Sequence, residues 1–434
     1  MKQIALINHG CAKNLIDSEL MLGTLAQNGY NITLDDTKAD IVIVNTCSFI
    51  HDAEKESVSS IFNMINAGKK VIITGCLPQK YKKELSELIP EAYAYLGTSD
   101  IEKIVDVIKK LENGVRVDYE VNENPEYNYP ETIERQQITV GASSYIKIAD
   151  GCNFNCGYCI IPKLRGPYKS RKIENIVKEA KNLVQKGVNE IVLIAQDTTS
   201  YGKDLYGKPS LLELLIELNK IKDLSWIRIM YTYPSLITDE LLQTIAKLDK
   251  VVKYIDIPLQ HVSKNQLELM NRPVMDNRKL IKKIRKFIPN CAIRTTFIVG
   301  YPNESEEDFQ ELCDFVKEMK LDRVGVFEFS REKNTKADKL KPQILAKVKK
   351  ERRKKLMEIQ QNVSRELNEK MIGKQIDCIV EAIASDGIIA ARTYKDAPEV
   401  DGLIYIETDK DITPGDIINV KVTEAVEYDL KGVY

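Results

Sequence analysis

The sequence predicts an α/β protein in three parts: an N-terminal doubly wound parallel sheet, a central partial barrel of six β/α units, and a small C-terminal antiparallel β-barrel. Three observations predict it. Strand and helix signals alternate through the first hundred or so residues. They resume at Tyr145 and repeat six times, and the last sixty residues alternate short strands with glycine-containing turns. A chain of 434 residues is long enough for two or three well-buried cores. Its apolar runs, such as "IVIVNTC" at residues 41–47, are far too short to span a bilayer.

In the first part, "QIALIN" (residues 3–8) reads as a buried strand and "LIDSELMLGTLAQNG" (residues 15–29) as a helix ending at a glycine. "YNITL", "DIVIVNT", "KVIITG" and "YAYLG" complete about five strands with helices between them, over residues 1–115. Residues 116–137 are rich in Asn, Pro and Glu and read as a linker with room for one added strand. The second part, residues 138–370, carries strands beginning near Tyr145, Glu190, Trp226, Lys253, Ala292 and Arg323. Each pair is separated by a helical pattern, as in a parallel barrel whose working face lies at the strand C-termini. It closes with a long helix over residues 345–371. The basic run of that helix, residues 347–355, reads as a solvated face because Val348, Leu356 and Ile359 supply an apolar stripe. Residues 371–434, with turns at "SDG", "VDG" and "TPGD", form the third part.

Charge is uneven. Residues 371–434 hold six Lys/Arg and thirteen Asp/Glu, a balance of −7, against +6 elsewhere. Such a domain suits a basic protein surface better than a phosphate backbone, so tRNA is not the expected partner. "MKQIALINHGCAKN" turns polar too soon for a signal peptide, and the expected compartment is the cytoplasm with no membrane contact. Nine cysteines in that reducing setting point to metal or redox chemistry rather than disulfides.

Three of them, Cys152, Cys156 and Cys159 in "GCNFNCGYC", follow the first barrel strand. Close-set thiolates select zinc or an iron–sulfur cluster. Structural zinc takes four ligands, and no fourth cysteine or histidine is near in sequence, although one contributed from a distance is an alternative. A cubane held by three thiolates instead keeps one iron open. Cys11, Cys47 and Cys76 each directly follow a strand of the first part, where an open parallel sheet binds its ligands. They read as a second three-thiolate cluster site, with buried small side chains as the alternative. Cys291, Cys313 and Cys378 read as structural.

The spacing of "GCNFNCGYC" matches the radical S-adenosylmethionine (SAM) superfamily motif. Two cysteine triads, a barrel of this kind and a small C-terminal β-domain together resemble the methylthiotransferases, over the whole chain: methylthiotransferase domain, radical SAM domain, TRAM domain. "GCAKNLIDSE" (residues 10–19) is similar to the RimO branch, which modifies a ribosomal protein. The tRNA-modifying MiaB branch usually has Gln-Met-Asn where Ala12, Lys13 and Asn14 stand here. "AQDTTSYG", "YIDIPLQHVS", "RTTFIVGYPNE" and "ARTYKDAPEVDG" are also similar to RimO segments. The resemblance implies two [4Fe–4S] clusters, ligated by Cys11, Cys47 and Cys76 and by Cys152, Cys156 and Cys159. It implies SAM both as methyl donor and as source of a 5′-deoxyadenosyl radical, and a reducing electron donor such as flavodoxin or ferredoxin. The implied product is a methylthio group on the β-carbon of an aspartate in ribosomal small-subunit protein twelve, with both clusters serving one cavity. Tyr158, Arg171, Gln196 and Asp197 are the candidate SAM contacts, and packing, a salt bridge and loop capping are their alternatives. A tRNA adenosine methylthiotransferase and a non-catalytic iron–sulfur carrier or scaffold are the competing functions.

Overall fold

The computed structural model describes residues 2–48, 50–138, 141–384 and 387–434. They form two units. One comprises Met1–Val140, Ala149–Phe154 and Ile160–Lys169; the other comprises Gly141–Ile148, Asn155–Cys159 and Ser170–Tyr434.

The first unit is built on six parallel strands: β1 (Gln3–Asn8), β2 (Asn31–Ile32), β3 (Ile41–Thr46), β4 (Lys70–Gly75), β5 (Ala94–Leu96) and β6 (Val117–Glu120). Their order is β2-β1-β3-β4-β5-β6. β3 is buried at every position, which is why it reads as continuous Val and Ile rather than an alternation. The chain runs outward from β1 to β2 and returns to β3, so the C-terminal ends of β1 and β3 flank a topological switch point, where doubly wound sheets open a crevice.

The segment expected as a linker is part of this unit. It supplies β6, and then packs on the helix α1 (Ala12–Gln27). The Gln136 and Ile138 amides donate to the Glu19 carbonyl and carboxylate, each at 3.1 Å, and buried Arg135 faces the same carboxylate at 3.4 Å. Gly23 sits mid-helix because a Cβ there would meet the Glu134 carbonyl at 2.1 Å. These bonds all go to one residue in the middle of α1, so they leave no periodic trace in the sequence.

The second unit contains the six expected parallel strands: β7 (Ser143–Lys147), β8 (Glu190–Ile194), β9 (Trp226–Ile229), β10 (Tyr254–Asp256), β11 (Ala292–Val299) and β12 (Arg323–Glu328). They pair as β9-β8-β7 and β10-β11-β12, and an isolated parallel bridge runs from Ile227 of β9 to Val251, three residues before β10. The long helix spans Ala346–Glu369; Leu356 is buried on it, Val348 and Ile359 flank the buried face, and Lys347 and Lys354 are solvated. The last five strands, β13 (Gln375–Ile383), β14 (Ile389–Thr393), β15 (Ile404–Glu407), β16 (Ile417–Ala425) and β17 (Leu430–Val433), close into a barrel in the order β13-β14-β15-β17-β16. It is not wholly antiparallel, because β15 and β17 pair in parallel. A closed ring with an odd number of strands cannot alternate direction throughout. Ser385 and Asp386 of the expected "SDG" turn lie outside the described residues.

The small barrel docks on the larger one through the loop that "ARTYKDAPEVDG" encodes. Glu190, Tyr254 and Arg323 are the first residues of their strands. Each meets that segment: Arg392 at the end of β14 donates to Glu190 at 2.6 Å, and in the loop that follows Asp396 accepts from Arg323 at 2.9 Å and Asp401 from the Tyr254 hydroxyl at 2.7 Å. The loop therefore stops the N-terminal ends of the strands and leaves their C-terminal ends to function. Glu190 is the anion at the centre, held also by Arg228 at 2.7 Å. Burial alone would push its carboxyl up, but Arg228 and Arg392 overcome that and bring it from 4.5 down to about 2.

A carboxyl lowered on folding stabilises the fold above its unfolded pKa and loses that contribution as pH falls through its folded one. We expect about 3 kcal/mol to disappear between pH 4.5 and about 2. Glu190→Gln, which leaves Arg228 without its anion and Arg392 with Glu381 alone, should cost about 3–5 kcal/mol at neutral pH. It should also flatten that acid limb in urea titrations run at a series of pH values.

Candidate iron–sulfur and SAM site

Cys11 is the N-cap of α1, Cys47 follows β3 directly, and Cys76 opens the short helix α2 (Cys76–Tyr81) directly after β4. The three sulfurs thus stand at the ends of three neighbouring strands, two of them flanking the switch point. Two glycines make the approach possible. Gly10 has φ +101°, and a Cβ on it would come within 2.8 Å of the Cys47 Cβ. Gly75 has φ +93°, and a Cβ there would meet the Asn45 side chain at 2.3 Å. Asn14 ties the edge together, donating to the His9 carbonyl at 3.0 Å and the Thr46 carbonyl at 2.9 Å, while Asn45 donates back to the Asn14 carbonyl at 2.8 Å. Cys47 and Cys76 are buried and Cys11 is exposed, so the trio has one open side.

Arg165 is the cation of this edge, and no motif or periodicity marks it out. It lies on the helix α3 (Ile161–Arg165), is buried, and donates to Asn14 at 2.5 Å, Asp17 at 2.6 Å and Asp150 at 2.9 Å. Burial pushes the Cys76 thiol up to about 12; Arg165 opposes that, while Cys11 and Cys47 add to it. Cys76 feels both other thiols, and Arg165 is the positive neighbour of Cys76 and Cys11. Among the described residues no three His, Cys, Asp or Glu side chains gather as closely as a single metal ion requires. A cubane core is larger than an ion, and the thiolates holding it stand farther apart. The donor set fits such a core: three soft ligands, an open side, a helix N-terminus at Cys11 and a buried guanidinium to offset negative charge.

The second motif is shared between the units. Cys152 belongs to the first, where its amide donates to the Gly166 carbonyl at 3.1 Å. Here again a glycine precedes the cysteine: Gly151 has φ +78°, and a Cβ would meet the Pro167 carbonyl at 2.1 Å. Cys156 and Cys159 belong to the second unit, in one turn closed by a 3.1 Å bond from the Cys159 amide to the Cys156 carbonyl. Gly157 in that turn donates to the Met270 carbonyl at 2.7 Å. Tyr158 packs with Met270, Tyr301 and Phe329. Burial raises its phenol, Arg272 opposes the rise, and Cys156 and Cys159 add to it.

The remaining candidates have engagements of their own. Arg171 is buried against Glu179 at 2.7 Å and the Lys147 carbonyl at 3.0 Å. Asp197 is buried after β8 and accepts from the Thr199 amide at 2.9 Å and from the Thr199 and Ser200 hydroxyls, capping its own loop. Gln196 is partly buried two residues beyond β8. Cys291, Cys313 and Cys378 are buried, Cys378 within the core of the small barrel.

Three family models match the chain: "Radical SAM superfamily" over residues 146–316, "Uncharacterized protein family UPF0004" over residues 3–97, and "TRAM domain" over residues 372–434. Among solved structures, the radical S-adenosylmethionine methyltransferase TsrM from Kitasatospora setae, with cobalamin and a [4Fe-4S] cluster bound, shares the fold. Its TM-score is 0.56 at 14% identity, over 90% of this chain and 80% of that one. Fold and motif together define a radical SAM enzyme carrying a TRAM domain. Full-length relatives narrow the class. The "Ribosomal protein uS12 methylthiotransferase RimO" of Caldanaerobacter subterraneus subsp. tengcongensis is 49% identical over 445 residues, covering 100% of both chains. That of Clostridioides difficile is 46% identical over 440 residues, covering 100% of this chain and 98% of its own. The chain belongs to the RimO family of ribosomal protein uS12 methylthiotransferases.

Removing Arg165 should be costly even without metal. Arg165→Met removes the guanidinium from two buried carboxylates, Asp17 and Asp150, and we expect about 3–5 kcal/mol lost in denaturant unfolding of the metal-free chain. Arg165→Lys, which cannot reach three acceptors with one planar fork, should recover only part of it.

Proposed function

We propose that this chain transfers a methylthio group to the β-carbon of an aspartate of uS12, with the two cysteine triads as the ligands of two [4Fe–4S] clusters. The observation that carries the reading is the gathering of Cys11, Cys47 and Cys76 at neighbouring strand ends around one open side. When bound, the clusters and SAM supply an electron, a methyl group, exchangeable sulfur and a radical able to break an unactivated C–H bond. Such a bond has no useful acidity, and no general base on this chain is required for it.

The residues divide the work. Cys11, Cys47 and Cys76 hold the sulfur-donating cluster, and Arg165 offsets its charge. Cys152, Cys156 and Cys159 hold the cluster that binds SAM. Tyr158 and Gln196 are our choice for the SAM contacts. Asp197 contributes by holding its loop, and Arg171, bonded to Glu179, by fixing the chain after the motif. The −7 balance of residues 371–434 suits a basic ribosomal protein. We place the enzyme in the cytoplasm, with a flavodoxin or ferredoxin as electron donor. No helix among the described residues is long and apolar enough to cross a membrane.

Mass spectrometry of uS12 and of tRNA from a strain lacking the gene tests the substrate. We expect uS12 to lose the mass of one methylthio group and tRNA to be unchanged. A loss from tRNA adenosine, or from neither, contradicts the proposal. In the purified enzyme, Cys76→Ala should abolish methylthio transfer while 5′-deoxyadenosine still forms from SAM. Cys156→Ala should abolish both.

A further inference from the structure

Eight arginines of the described chain are buried, and seven of them pair with a carboxylate, as Arg165 does with Asp17 and Asp150 and Arg392 does with Glu190. Arg272 is the exception. It follows the helix Lys264–Leu269 in "MNRP" and is 9% exposed. One Nη donates to the Pro258 carbonyl at 2.6 Å, and the guanidinium stacks 4.3 Å from the centre of the Tyr233 ring. Its Nε is buried with no hydrogen-bond partner. The other Nη lies 3.9 Å from Cys156 Sγ.

Burying a guanidinium opposite neutral groups alone is costly, and buried charges in proteins are paired. A ring face and one carbonyl compensate Arg272 only in part. A neutral thiol adds little, whereas a sulfur that is the thiolate ligand of an anionic cluster would complete the pairing. Thus the one buried arginine without a carboxylate is also the one that points at a cysteine of the second motif. The inference rests on the reading of Cys156 as a cluster ligand.

We propose that Arg272 is the positioning charge of the SAM-binding cluster, a fixed cation against the Cys156 sulfur that stabilises the reduced cluster and so sets the potential at which it accepts its electron. On reduction the cluster takes one electron from an external reductant and gains one unit of negative charge. The guanidinium opposite is already in place and needs no rearrangement to meet it. Its stacking on Tyr233 and its bond to Pro258 hold it there.

The test uses the full chain with Cys11, Cys47 and Cys76 replaced by alanine, reconstituted anaerobically so that one cluster remains, and titrated with dithionite while the reduced cluster is followed by electron paramagnetic resonance. With Arg272→Met, iron content should match the parent. At the parent's midpoint potential, however, the reduced fraction should fall from half to about one-tenth or less, since a tenfold change in a one-electron equilibrium is 59 mV. Arg272→Lys should keep most of the parent's potential. Should the methionine variant lose iron, Arg272→Gln is titrated in its place with the same expectation. A variant with full iron that titrates at the parent's potential overturns the proposal, as does a lysine variant displaced as far as the methionine one. A parent that takes up no iron overturns the cluster reading itself, and this result is distinct from the other two.

Discussion

Thiolates gathered around one point repel one another, and a fold that collects them has to supply positive potential and a rigid frame. In the first unit the frame is a parallel sheet. Its strands end together, so residues far apart in sequence arrive at one edge, and Cys11 stands at a helix N-terminus. The positive potential comes from Arg165. In the second unit a single turn carries Cys156 and Cys159, and Arg272 faces the first of them.

Arg165 does more than offset charge. It bonds Asn14 and Asp17 of α1 and also Asp150, two residues before Cys152, all within one unit. Asp150, just before the second motif, is therefore tied through Arg165 to the helix that begins at the first motif's leading cysteine. Glycines allow these approaches. Gly10, Gly75 and Gly151 each have positive φ, each directly precedes a cysteine of one of the two triads, and a side chain on any of them would collide with a neighbouring strand end or loop.

Much of this was legible beforehand, for physical reasons. Thiol ligation admits few residue types, so six cysteines at strand ends stood out, and buried parallel strands announced themselves through runs of Val and Ile. What escaped notice was single and aperiodic. Arg165 and Arg272 are lone basic residues, and only burial against a sulfur or a pair of carboxylates gives them meaning. The Gly–Cys pairs were visible three times over and could have flagged the backbone turns. The residues after β6 read as a linker because their bonds go to Glu19 rather than to a ladder. "ARTYKDAPEVDG" was noticed as a pattern, but its use in stopping the N-terminal ends of the barrel strands needed the register of Glu190, Tyr254 and Arg323. Asp197 and Arg171, two of the expected SAM contacts, also have partners within the protein, the first in its own loop and the second in Glu179.

The central claim is that each cysteine triad grips its own iron–sulfur core. Anomalous diffraction at the iron edge, from crystals of the anaerobically reconstituted full-length chain, tests it most directly. The account predicts two separate iron centres, one against Cys11, Cys47 and Cys76 and one against Cys152, Cys156 and Cys159. A single centre, or iron bound away from either trio, would contradict it.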